Sequence, residues 1–217
     1  MTQYLIVGCG HFGRLAVEKL LRKDPGSKIR VVDKNKKAIG KISTLPVETH
    51  IEEGLSFLRQ FLPEDREAYI IPAVPFHLAF EFILSRLQKA GWKRVPVPPL
   101  PSLPNLMTGK TGDLYVSIAN FKCPEDCPEP SRYCTVTRER RPKPLYQLLR
   151  DLRGSFQSKV IRSEQLGLGV GGFKTKRVFD LLEEIQKKKT PGQSILISTA
   201  CRCHGVISAL SFPPSPI

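Results

Sequence analysis

The residues Gly8-Cys9-Gly10-His11-Phe12-Gly13 read G-x-G-x-x-G, and their setting constrains the fold more than any other feature of the chain. An apolar run, Tyr4-Leu5-Ile6-Val7, precedes them. After them Leu15, Ala16, Val17, Leu20 and Leu21 give a helix one broad apolar face. A strand, a glycine turn and a helix in that order ask for a second strand laid parallel to the first. Gly8 suits the tight turn, Gly10 the close approach of a pyrophosphate, and Gly13 the packing of helix on strand. The helix start offers unpaired N–H groups to phosphates. The second strand, Ile29 to Val32, ends in Asp33, twenty residues after Gly13. A carboxylate there accepts hydrogen bonds from a ribose and repels a 2′-phosphate, favouring NAD(H) over NADP. Lys34, Lys36 and Lys37 pull the other way, since they are suited to holding a phosphate. The cofactor-binding set is therefore Gly8, Gly10, His11, Phe12, Gly13 and Asp33.

The alternation continues. Strands are expected over Pro46 to Ile51, Ala68 to Val74 and Trp92 to Val97, and helices over Glu53 to Leu62 and Phe76 to Ala90, closed by Gly91. The reading is an α/β fold with a parallel sheet covered on both faces. Residues 96–104, PVPPLPSLP, hold five prolines in nine positions and form a stiff, extended connector. The expected domains are 1–95, the connector 96–104, and a smaller α+β, cysteine-containing domain over 105–217. In that second part, Asp113 to Ile118 and Ser194 to Thr199 read as strands, and Pro144 to Leu152 and Thr175 to Lys188 as helices.

The combination YLIVGCGHFGRLAVEKLL followed by IRVVDKN resembles the N-terminal, NAD-binding domain of the regulators of potassium conductance, over about residues 3–40. The resemblance implies a Rossmann-like fold and NAD(H) or another adenine nucleotide near Gly8, Gly10, Gly13 and Asp33. It does not imply potassium transport. His11, His50 and His77 fall near the expected cofactor end of the sheet, each with an ordinary pKa suited to acid–base work. No catalytic constellation stands out.

Five of the six cysteines lie in the second half. Cys123, Cys127 and Cys134 are spaced C-x3-C-x6-C in a proline-fixed loop, and Thr199-Ala200-Cys201-Arg202-Cys203-His204-Gly205 follows far downstream. Thiolates are soft ligands, and four of them suit an iron–sulfur cluster or, alternatively, zinc. The metal-ligating set is Cys123, Cys127, Cys134, Cys201 and Cys203. Cys201 is the preferred fourth ligand, with Cys203 and His204 as alternatives.

Gln165 to Lys174 is a second glycine-rich loop ahead of a helix, suited to cradling an anion, though without a G-K-[ST] ending. Arg138 to Arg177 holds eleven Lys/Arg against three Asp/Glu, and Lys187-Lys188-Lys189 is a separate run at a helix end. The whole chain of 217 residues carries a net charge of +14 with 41% hydrophobic residues, a composition that excludes wholesale disorder. The charge suits an anionic partner: a dinucleotide first, nucleic acid less so. No membrane span is expected, because Tyr69 to Leu87, the most apolar stretch, is broken by Pro72, Pro75, His77, Glu81 and Arg86. The N-terminus lacks the pattern of a signal peptide, which predicts a cytoplasmic protein. Together these features predict an NAD(H)-binding protein with a cysteine-ligated iron–sulfur centre, acting with a redox partner as an oxidoreductase or as a redox or nucleotide sensor. The competing expectation is a binding module with structural zinc and a basic face for nucleic acid or protein.

Overall fold

The computed structural model describes residues 1–62, 66–188 and 190–213; Lys189 of the basic run lies outside them. The chain begins β1 (Gln3–Val7), α1 (His11–Lys23), β2 (Lys28–Val32), α2 (Lys36–Gly40), β3 (Glu48–His50), α3 (Gly54–Phe61), β4 (Tyr69–Pro72) and α4 (Leu78–Leu87). A 3-10 turn at Gln88–Ala90 leads to β5 (Lys93–Val95), β6 (Met107–Thr108), β7 (Leu114–Ser117) and α5 (Leu145–Arg150). It ends β8 (Phe156–Arg162), β9 (Glu164–Gly167), β10 (Val170–Lys174), α6 (Thr175–Lys187), β11 (Ser194–Ala200) and β12 (His204–Ser211).

These elements form a mixed α/β structure with two mixed six-stranded sheets. The first has the order β3-β2-β1-β4-β10-β9, with parallel pairing from β3 through β4. The expected sheet was wholly parallel. The second glycine-rich segment changes that: it is a hairpin, with β10 antiparallel to β4 and β9 antiparallel to β10. The second sheet runs β6-β7-β12-β11-β8, with β8 parallel to β11 and β5 pairing β12 beyond the end of β7. Strand pairing thus crosses the 96–104 segment in both directions. β5, expected as the fifth strand of the first sheet, lies in the second.

Side-chain alternation explains the layers. In β1, Leu5 and Val7 enter one core while Tyr4 and Ile6 enter another, so both faces are covered and the run reads as continuously apolar. The same holds for β11, where Ile195 and Ile197 face inward and Leu196 and Ala200 face outward. The inner core holds α4 and α6 between the sheets; α1 covers the outer face of the first sheet and α5 that of the second. Facing both sheets, α4 is apolar nearly all round, with Phe80, Phe82, Ile83 and Leu87 fully enclosed. Burial of each of those large side chains contributes about 1.5–3 kcal/mol. Among the described residues no helix is long and apolar enough to cross a membrane.

Candidate functional site

The glycine loop closes the C-terminal end of β1. Gly8 has φ +100, and a Cβ there would meet the carbonyl oxygen of Ala73 at 2.4 Å. A Cβ on Gly13 would stand 2.0 Å from the carbonyl oxygen of Gly8, so both positions require glycine. Gly10, the N-cap of α1, differs: among the described residues nothing lies within 4 Å of where its Cβ would point. The space belongs to a cleft of about 450 Å³ bordered by Gly8, Gly10, Asp33, Lys34, Glu53 and Phe76. Asp33 sits at the end of β2 as expected. Its two carboxylate oxygens accept the backbone N–H groups of Cys9 at 2.6 Å and Asn35 at 2.8 Å, which fixes the carboxylate beside the loop with a lone pair left on each oxygen. Phe12 is 63% exposed. His11 turns outward to Glu125, its Nε2 2.9 Å from Oε1. His50 pairs with Glu48 and lies against Phe57. An open cradle at Gly10 with a carboxylate beyond it fits a dinucleotide.

The cysteine loop lies directly beside α1 and is held by backbone contacts. Lys19 Nζ donates to the carbonyls of Glu125 at 2.7 Å and Leu168 at 2.9 Å. The Cys127 carbonyl accepts from Gly169 N–H at 3.1 Å and Gln165 Nε2 at 2.7 Å. The β9–β10 hairpin therefore serves as a clamp on this loop. This differs from the anion cradle its glycines suggest.

Cys123, Cys127, Cys134 and Cys203 border one cavity of about 270 Å³, together with Arg140 and Arg141. Cys201 borders a different cleft, next to His77 and His204. The chain turns after β11 between Cys201 and His204, and the two cysteines part there. Cys134 receives the backbone N–H groups of Thr137 and Val136, which hold its thiol below the usual range. Cys201 receives those of Cys203 and His204 at 3.4 Å each, but burial pushes its thiol up to about 12. Burial also raises Cys123 and Cys203, the latter against the opposing pull of the Arg141 guanidinium, which donates to its sulfur. Cys9 is buried under the glycine loop and separate from the others.

Among the described residues no three His, Cys, Asp or Glu side chains converge closely enough to hold a single metal ion. Around the cysteines, the His204 ring stands 3.7 Å from Cys123 Sγ through Nε2 and 3.9 Å from Cys201 Sγ through Nδ1. A four-coordinate zinc, with its donors about 2.0–2.3 Å from one point, does not fit this arrangement. A cluster distributes four thiolates over several irons, and the donor set around the cavity is chemically of that kind.

Residues 79–213 match a family model, AF_1314_C, described as "Uncharacterized protein, C-terminal domain". The chain belongs to this family. It is also similar to an "Uncharacterized protein" of Archaeoglobus fulgidus, 28% identical over 219 residues, covering 95% of this chain and 98% of the relative. The family region contains all five cysteines of the second half, while the glycine loop precedes it.

A polar network that the sequence does not announce joins His77, just ahead of the family region, to residues within it. Asp113 is fully enclosed; burial alone would raise its carboxyl, but bonds from Ser208, Thr111 and Arg94 hold it below the usual range. Ser208 Oγ stands 2.8 Å from Nδ1 of His77, whose Nε2 is 2.9 Å from Thr199 Oγ1. His77 is 2% exposed, and burial, with Arg94 adding to it, pushes the imidazole down to about 3. Part of the basic stretch is partnered within the molecule: Arg141 on Cys203, Lys143 with Asp151, Lys159 with Glu184, Lys174 with Glu67 and Lys176 with Asp180, while Arg138, Arg140 and Arg177 are exposed.

Proposed function

We propose that the chain is an NAD(H)-binding redox protein whose cysteine cavity holds an iron–sulfur cluster. The observation that carries this reading is the glycine loop itself. Two glycines are locked by contacts under 2.5 Å to a would-be Cβ, and the middle one, Gly10, borders a cleft with Asp33 beside it. The parallel order β3-β2-β1-β4 supports a Rossmann-like arrangement, in which ligands sit outside the carboxyl ends of the strands. The resemblance of residues 3–40 to the regulators of potassium conductance supports an adenine nucleotide at the same place. Bound there, a nicotinamide nucleotide supplies two-electron hydride chemistry. The chain's own contribution is backbone N–H groups for phosphate at the start of α1, and a fixed carboxylate for a ribose. Cys123, Cys127, Cys134 and Cys203 are the proposed cluster ligands, with Cys201 outside the set. The poor fit to zinc counts against a structural-zinc module, while exposed Arg138 and Arg140 keep a basic face available.

The experiment is a titration of anaerobically purified protein with NADH, followed by visible absorption and by calorimetry. Saturable binding, together with sulfur-to-iron absorption that bleaches, selects an oxidoreductase. Binding without bleaching selects a sensor. No binding and no iron overturn the proposal.

A further inference from the structure

A third cleft, about 340 Å³, lies between the sheets and shares Val74, Pro75 and Phe76 with the glycine-loop cleft. Its walls are mainly apolar, including Phe76, Phe173 and Val206, and Thr199 and His204 form a polar side. The Asp113–Ser208–His77 chain ends at Thr199, and its proton positions follow from the partners. Ser208 has one hydroxyl hydrogen, and the ionised Asp113 takes it. The Ser208 oxygen must then accept from His77 Nδ1, so Nδ1 carries the hydrogen of the neutral imidazole. Nε2 is left as an acceptor, and the only hydrogen it can take at 2.9 Å is that of the Thr199 hydroxyl. Thr199 therefore has no hydrogen to offer the cleft. Its oxygen presents lone pairs there.

We propose that this cleft binds a small, mostly apolar molecule bearing a hydroxyl or N–H donor. In that site Thr199 Oγ1 accepts the ligand's hydrogen bond, while Asp113, Ser208 and His77 are positioning residues that fix the direction of that bond. The size is adequate, since a dry apolar cavity of about 150 Å³ is enough to hold benzene. The proposal stands independently of nucleotide binding.

Three probes of similar shape test it in the full chain by NMR titration: phenol (donor and acceptor), anisole (acceptor only) and toluene (neither). Phenol is expected to bind the wild-type protein roughly three- to tenfold more tightly than anisole or toluene, the range of one net hydrogen bond. Thr199→Ser should keep that preference and Thr199→Val should abolish it while leaving toluene binding unchanged. His77→Leu frees the Thr199 hydrogen, and anisole should then gain on phenol. The proposal is overturned if no probe shifts resonances of Phe76 or Phe173, if anisole equals phenol in the wild type, or if the preference survives Thr199→Val. An unchanged preference in folded His77→Leu overturns the positioning role.

Discussion

His11 Nε2 stands 2.9 Å from Glu125 Oε1, so the glycine loop touches the cysteine loop 114 residues further along the chain. Both side chains are exposed, and an ion pair of this kind adds little to stability. The stronger tie is Lys19, which holds two main-chain carbonyls, one in each segment facing α1. Lys19→Ala should leave the melting temperature nearly unchanged and speed alkylation of Cys123 and Cys127 severalfold, with buried Cys9 unaffected. Peptide mass spectrometry after timed alkylation reads this directly.

The three loop glycines should separate by substitution. Gly13→Ala forces a methyl to within 2.0 Å of a carbonyl oxygen, which requires α1 to shift on the sheet. Overpacking of this kind costs about 1–3 kcal/mol, measurable in urea unfolding. Gly10→Ala meets nothing within 4 Å among the described residues and should fold with near wild-type stability. Its methyl would occupy the cradle, so NADH affinity should fall by tenfold or more. Equal stability losses in both variants would show that the loop is not built around an open Gly10.

The first third of the fold was legible because its signals are local. β1 is covered on both faces, which writes a continuous apolar run, and glycine ends it. β8 and β12 left no such mark. In β12 the buried Ser208 interrupts the apolar pattern, and its partner Asp113 is 95 residues away. The hairpin β9–β10 reads as a glycine-rich anion cradle until β10 pairs with β4 through Phe173 and Lys174. The cysteines stood out by spacing, but the choice between Cys201 and Cys203 depends on a turn after β11 that spacing does not encode. The Asp113–Ser208–His77–Thr199 chain was beyond reach for the same reason: its members come together only through the second sheet and the start of α4.

Gly169 gives a sharper test of the clamp on the cysteine loop. It has φ +70, and a Cβ there would stand 1.8 Å from the Glu125 carbonyl oxygen. Gly169→Ala should displace the 123–127 segment while the first sheet stays intact. The expected signature is faster alkylation of Cys127 together with unchanged NADH affinity. Protection of Cys127 equal to wild type would show that the hairpin does not hold the loop.

Thiol chemistry should rank the cysteines of cluster-free protein. Cys134 is held below the usual range by two backbone N–H groups, whereas Cys201 is pushed up to about 12 by burial. The thiolate is the reacting species, so at about pH 8 iodoacetamide should modify Cys134 first and Cys201 among the last. Loading with iron and sulfide should protect Cys123, Cys127, Cys134 and Cys203 together and leave Cys201 as it was. Protection of Cys201 in place of Cys203 would reverse the ligand assignment.

The buried imidazole makes stability depend on pH with a defined sign. His77 titrates near 6.5 when unfolded and at about 3 when folded. Between those values the unfolded chain holds a proton that the folded chain refuses, so acidification favours unfolding. The contribution is absent above about pH 6.5, grows by about 1.4 kcal/mol for each pH unit below it, and levels off near pH 3. Carboxylates such as Asp113, held low by their donors, lose stability on the acid side as well, so the single-group term must be isolated by comparison. His77→Gln keeps a polar side chain at the start of α4 and removes the titration. Urea midpoints measured from pH 7 to pH 4 should fall more steeply for the wild type than for His77→Gln. Parallel curves would mean that His77 is charged in the folded protein, and the Thr199 hydroxyl would then lose the orientation assigned to it.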